Sequence, residues 1–280
     1  MVFGKFYNKL SGKKAVSPAI STVILMGAMV AIVSVALVFA NNFLWASVAE
    51  GEFDSSKQLM QTVGLQIDDV AWTVGRKETV LYASQYGEVM FAPSALTYEV
   101  TVNGGAPQQY ETGALMFNLP TSSYSITNDY FESIYPVQDD SLTLTGTSAP
   151  VARVFVVEKL PMADGSYIRV VVVPTIRVLY SEITTGATTH YIRMYLPVLT
   201  AGEAPRLSQS ITLTGDSLNA YTVNGVTSIN VAVDFQEGSV FDFAFSNYPF
   251  GSEEDVFVPS GTVVLELYLS EVSVDFGLNY

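Results

Sequence analysis

His190 is the only histidine of this 280-residue chain, and there is no cysteine. Thiol nucleophiles, iron–sulfur ligation and cysteine zinc sites are therefore excluded, as is any motif that needs two imidazoles, such as H-E-x-x-H. A Ser-His-Asp arrangement would have to be built on His190 alone. It lies in Thr188-Thr189-His190-Tyr191-Ile192, at the start of an expected strand after a Thr185-Gly186 turn, where a surface or edge histidine is expected. The carboxylates cluster at Asp68-Asp69, Asp139-Asp140 and Glu253-Glu254-Asp255. Calcium takes about six to eight oxygen ligands from such groups, but none of these clusters has an EF-hand or nonapeptide spacing, and all read as solvated charge. No pair carries a local signature of glycoside hydrolysis, and neither a phosphate-cradling glycine loop nor a G-x-S-x-G elbow occurs. The expectation is a non-enzyme with no metal and no cofactor.

What remains is the chemistry of assembly, and it is concentrated at the N-terminus. Lys13-Lys14-Ala15-Val16-Ser17-Pro18 opens a stretch without a charged residue or histidine from Ala15 to Ala49. A helix over Val16–Ala40 would measure about 37 Å at about 1.5 Å per residue, against a bilayer core of about 30 Å. Ser17 suits the N-cap, and Pro18 suits the first helical position, whose N–H would have no partner anyway. Lys5, Lys9, Lys13 and Lys14 precede this run and the next basic residue is Lys57, which puts the N-terminus inside and the bulk of the chain outside a membrane. A conventional signal peptide carries its small-residue cleavage site after the apolar core. Here the small residue, Ala15, comes before it, and no A-x-A pattern follows at Asn41-Asn42-Phe43-Leu44.

This order of parts, a basic pair, Ala, an aliphatic residue, Ser-Pro and a hydrophobic helix, resembles the class III signal peptide of type IV pilin-like proteins in its archaeal form. The resemblance covers residues 13 to 44. It implies cleavage between Ala15 and Val16 by a prepilin-type peptidase on the cytoplasmic side, with Lys13, Lys14, Ala15 and Val16 as the processing residues, and retention of the helix as the assembly element. Bacterial-type pilins carry a Glu five residues into the mature chain; this chain has Ile20 there, as archaeal relatives commonly lack that Glu. A helix apolar nearly all round must be buried in lipid or against its neighbours, and Gly27, Ala28, Ala31 and Ser34 are the small residues that would let helices approach closely. The expected function is a structural subunit of an archaeal type IV pilus-like surface filament, formed with copies of itself or with pilin-like co-subunits, with an adhesive role open. The alternative is a monomeric membrane-anchored cell-surface module that binds carbohydrate or a surface-layer partner. Either reading places the outer domain outside the cell.

The rest of the chain is acidic. From Ala15 onward there are nine basic against 27 acidic residues, a net charge of −18, within a whole-chain net of −14. Such a surface disfavours nucleic acid, whose binding relies on Lys and Arg neutralising phosphates. Without disulfides the outer domain must be held by its own core. Leu59, Val63, Ile67, Val70 and Val74 form one apolar stripe at helical spacing, and Ser55 with Gln58 reads as a capping box that restarts a helix after a bend at Gly51. From about residue 78 the period changes to two: Leu96, Tyr98, Val100 and Val102; Val231, Val233 and Phe235; Phe241, Phe243 and Phe245. Asn103-Gly104, Asp164-Gly165 and Asn224-Gly225 read as hairpin turns. The fold class expected is α+β, a long N-terminal hydrophobic helix followed by a mainly antiparallel β-sandwich-type domain. Its parts are a leader over 1–15, a transmembrane or filament-core helix over 16–44, an amphipathic helical extension over 45–77 and an extracellular β-rich domain over 78–280, of one or two subdomains.

Overall fold

The computed structural model describes residues 18–137, 141–162, 164–185, 187–203, 209–235 and 253–277. Among these, one helix, α1 (Pro18–Ala71), precedes the strands β1 (Lys77–Leu81), β2 (Glu88–Val102), β3 (Gln108–Pro120), β4 (Tyr130–Tyr135), β5 (Thr143–Thr145), β6 (Ala152–Glu158) and β7 (Tyr167–Pro174). They are followed by β8 (Ile176–Thr185), β9 (Ala187–Ala201), β10 (Ser210–Asn224), β11 (Ile229–Phe235), β12 (Glu253–Val256) and β13 (Thr262–Phe276). The chain divides into two units at the boundary between Ser47 and Val48. The α+β class expected from the residue pattern is what the chain adopts.

Within the second unit, the last turns of α1 bury Phe53, Met60, Val63, Ile67, Val70 and Ala71. Of the stripe read from the sequence, Val63, Ile67 and Val70 are buried and Leu59 is half-buried, while Val74 is exposed because α1 has ended at Ala71. The helix restart expected after Gly51 does not occur, since helical residues run unbroken through it. Ser55 Oγ donates to the Gly51 carbonyl at 2.8 Å, a bond made back along a continuing helix rather than a cap.

The strands form two sheets. A six-stranded sheet has the order β1-β10-β13-β9-β8-β5, and a seven-stranded sheet the order β12-β11-β2-β3-β7-β6-β4. All pairings in the seven-stranded sheet are antiparallel, whereas β13 runs parallel to β9, and β5 parallel to β8, in the other. Strands β6 and β7 are apolar almost without alternation, and burial explains it. Phe155, Val157, Val171 and Val173 pack in the core between the sheets, with Ile176, Val178, Ile192, Met194 and Leu265 opposite. Val154, Val156, Val170 and Val172 face the other way, into a second core with Met60, Val63, Ile67 and Val70 of α1. A strand buried on both faces has no position left for a polar alternate.

Turn chemistry fixes some connections and re-routes another. Asn103 and Gly104 both take positive φ (53° and 63°), the requirement of the tight turn that joins β2 to β3. Asp164-Gly165 lies between the antiparallel partners β6 and β7. Asn224-Gly225 is not a hairpin: β10 pairs with β13 and β11 with β2, so the chain crosses there from one sheet to the other. Asn103 stabilises this corner. Its side-chain oxygen accepts from Thr227 N (2.7 Å) and Thr227 Oγ1 (2.9 Å), and its Nδ2 donates to Gly225 O (3.1 Å). Phe241, Phe243 and Phe245 lie outside the described residues.

Two carboxylates join elements distant in the chain. Glu52 of α1 is buried; its carboxylate accepts from the amides of Gly87 (2.8 Å), Gln85 (3.1 Å) and Tyr86 (3.1 Å) and from the Ser84 hydroxyl. Glu254 of β12 accepts from Leu142 N (2.7 Å), Ser141 Oγ (2.7 Å) and Thr143 Oγ1 (2.9 Å), which ties the edge of one sheet to β5 at the edge of the other. Burial pushes the Glu52 carboxyl upward, but the Ser84 hydroxyl and the Gly87, Tyr86 and Gln85 amides outweigh it and hold the pKa below the ordinary 4.5. Since the folded chain then releases the proton more readily than the unfolded one, the clamp adds stability above about pH 4.5 and loses it as pH falls through the folded-state pKa. At the alkaline end, burial pushes Tyr98, whose hydroxyl donates to Pro174 O, up to about 12, so its contribution is complete below pH 10 and lost as pH rises toward 12. Thermal melts across pH should therefore decline on both limbs. Glu52→Gln should cost about 2 kcal/mol at neutral pH and flatten the acid limb; a variant with the wild-type acid limb would show that the clamp is not its source.

Candidate assembly surface

The processing residues Lys13, Lys14, Ala15 and Val16, and the cap Ser17, lie outside the described residues; Pro18, the first described residue, is helical. From Ile20 to Trp45 the helix is apolar on every side, and its large side chains are exposed, Phe43 at 74%. This stretch is long and apolar enough to cross a membrane. It ends in Asn41, Asn42 and Trp45, with Trp45 Nε1 donating to Asn41 Oδ1 at 3.0 Å. An indole with its N–H engaged in a polar partner at the end of an apolar run suits the water–lipid boundary.

At 3.6 residues per turn each residue advances about 100°. Gly27, Ala31 and Ser34 consequently fall within about 60° of one another, while Ala28 sits about 100° away from Gly27, at the flank of the stripe. A Cβ built on Gly27 meets no atom within 4 Å. Ser34 Oγ donates to the Val30 carbonyl at 2.8 Å, which satisfies the hydroxyl inside its own helix and leaves a small, locally neutral surface. The stripe offers close approach to another helix without a charged group to set register.

The other candidate groups are placed as follows. Asp68 accepts from Arg177 Nη1 (2.9 Å) and Trp72 Nε1 (2.6 Å), and Asp69 lies 3.7 Å from Arg76. Glu253 and Asp255 share the amide of Asn230 at 2.9 Å each, while Glu254 is the clamp described above. Asp69, Glu253 and Asp255 are exposed, as expected of solvated charge, while Asp68 and Glu254 are half-buried and held by named donors. Asp139-Asp140 lies outside the described residues. Among the described residues no group of three or more His, Asp and Glu could hold a metal ion. His190 is on β9, an interior strand between β13 and β8, so it is not an edge residue; its Nδ1 is 3.8 Å from Glu182 Oε2 across the β8–β9 pair.

Sequence reasoning missed the Glu52 clamp, and the signal available was slight: a single acid on the buried face of α1 between Ala49 and Phe53. A long apolar N-terminal helix followed by a β-rich body fits a pilin-like layout. No family model matches the chain, and neither a curated protein nor a solved structure matches it.

Proposed function

We propose that this chain is a structural subunit of an archaeal type IV pilus-like surface filament, made as a membrane precursor, processed between Ala15 and Val16, and assembled through α1 with the β body facing outward. The observation that carries the reading is the helix from Ile20 to Trp45, whose apolar side chains are exposed on every side. That surface has no stable place in water, and it needs either lipid or the same helix of other subunits. The filament reading uses both in turn, lipid before assembly and neighbouring helices after it.

Processing tests this directly. Mass spectrometry of protein taken from its native membrane should give a chain beginning at Val16, and Ala15→Glu should leave the precursor in the membrane. An intact Met1 would point instead to a monomeric anchored binding module, and a cut after Ala40 to an ordinary secreted protein; either would sink the filament reading.

A further inference from the structure

Past the core between the sheets, β8 and β9 continue outward and meet the connection from β12 to β13. Val178 and Ile192 are the last fully buried residues of this row. Side chains alternate along a strand, so Tyr180 and Glu182 continue the inward-facing row beyond Val178, paired with Ile192 and His190 respectively. Tyr180, Glu182 and His190, with Tyr191, Phe257 and Pro259, line a pocket of about 330 Å³. Beside Tyr191, its apolar wall has two rings open to solvent, Tyr180 at 40% and Phe257 at 72% exposed, with centroids 6.1 Å apart and planes at 63°. Its charge is Glu182, whose side chain is 57% exposed and 3.8 Å from the His190 imidazole.

We propose that this pocket binds an organic ammonium cation. Two rings at a steep angle form a corner, which offers π surface to a compact cation from two directions; a sugar ring stacks best on one open platform, which this is not. A carboxylate at the mouth supplies the counter-charge. The nearby guanidinium of Arg193 is engaged by Glu266 at 2.6 Å, donates to Ser181 Oγ at 3.3 Å and lies over the Tyr191 ring, 5.8 Å from its centre, which leaves the corner between Tyr180 and Phe257 to another cation. Among the described residues no Lys or Arg lines the pocket, and the chain's net charge of −14 draws cations toward it. Burial, and then the charge of Glu254, raises the Tyr180 phenol pKa, in keeping with a negative local potential. All of these residues belong to the body, so the proposal stands or falls independently of assembly through α1.

The cation could be a free quaternary ammonium or the basic side chain of a protein partner, and calorimetry on the full-length chain in a neutral detergent separates them. Choline at constant ionic strength should bind, and its neutral carbon isostere should not. Phe257→Ala and Glu182→Gln, both at exposed side chains and so expected to melt as the wild type does, should each weaken choline binding about fivefold to tenfold. If Nα-acetyl-lysine amide binds more tightly than choline and is displaced by it, the natural ligand is a partner's basic side chain; if choline binds more tightly, it is a free quaternary ammonium. Equal binding of choline and its isostere, no binding of any cation, or unchanged affinity in both variants would overturn the proposal. So would methyl glucoside binding that survives Glu182→Gln, which would make the pocket a saccharide platform.

Discussion

Gly27→Leu should abolish or strongly reduce filaments while leaving the precursor inserted and processed. In the single chain a side chain at this position meets nothing within 4 Å, so the substitution has no steric cost there. Leu also favours helix over Gly by roughly 1 kcal/mol, which makes α1 in the monomer firmer. The whole penalty must then arise where a second helix comes against the Gly27–Ala31–Ser34 stripe and finds a branched side chain where a backbone had fitted. Val38→Leu keeps apolar character and nearly keeps volume, and should assemble normally. Electron microscopy of cell surfaces with membrane fractionation reads both outcomes. Normal filaments in Gly27→Leu cells would remove the close-packing account.

Gly215→Ala should be the most damaging single-methyl change in the β body. Gly215 sits at the irregularity in the β10–β13 register, where the end of α1 comes down on the strand. A Cβ there would lie 2.3 Å from the Val70 carbonyl oxygen and 2.9 Å from that of Thr73. Both are backbone atoms and cannot rotate away. The same residue accepts from Gly75 N at 2.7 Å and donates to Arg76 O at 3.0 Å, so retreat of the helix end breaks these bonds as well. Overpacking together with two lost hydrogen bonds gives a loss of about 3 kcal/mol or more, read as a fall in melting temperature of several degrees. Gly51→Ala is the matched control: it lies within α1, has nothing within 4 Å, and should be neutral or slightly stabilising. Equal melting temperatures for the two variants would show that α1 does not dock as closely as these distances require.

The features legible in the sequence were those written in side-chain pattern. Period two over Leu96–Val102 and the Asn103-Gly104 turn identify a strand and its hairpin; Val63, Ile67 and Val70 identify the buried face of α1; the uncharged run identifies the apolar helix. Pairing between distant strands was not legible. Nothing in the alternation of β9 or β13 records that they lie side by side and parallel, since periodicity encodes which face is buried and not which neighbour is beside it. Asn224-Gly225 shows the same limit, because a tight turn and a sheet-to-sheet corner call for similar local chemistry. The carboxylate clamps were hidden for another reason. Glu52 is met largely by backbone amides, which every residue but proline carries, so its receiving loop has no compositional mark, and Glu254 is met by two amides and the hydroxyls of Ser141 and Thr143, residue types common along the whole chain.

The last described strand, β13, lies inside its sheet rather than at an edge. β13 separates β10 from β9, and without it the six-stranded sheet falls into two pieces, β1 with β10 and β9 with β8 and β5, which share no ladder. A polypeptide that emerges from the ribosome or through a membrane in N-to-C order can form the seven-stranded sheet once β12 is out, but it cannot close the other until Phe276 has followed. Completion of this sheet is thereby coupled to the arrival of β13. A truncated product that stops before β13 keeps an open seam with unpaired strand edges on both sides, the kind of surface on which chains aggregate and which proteolysis removes.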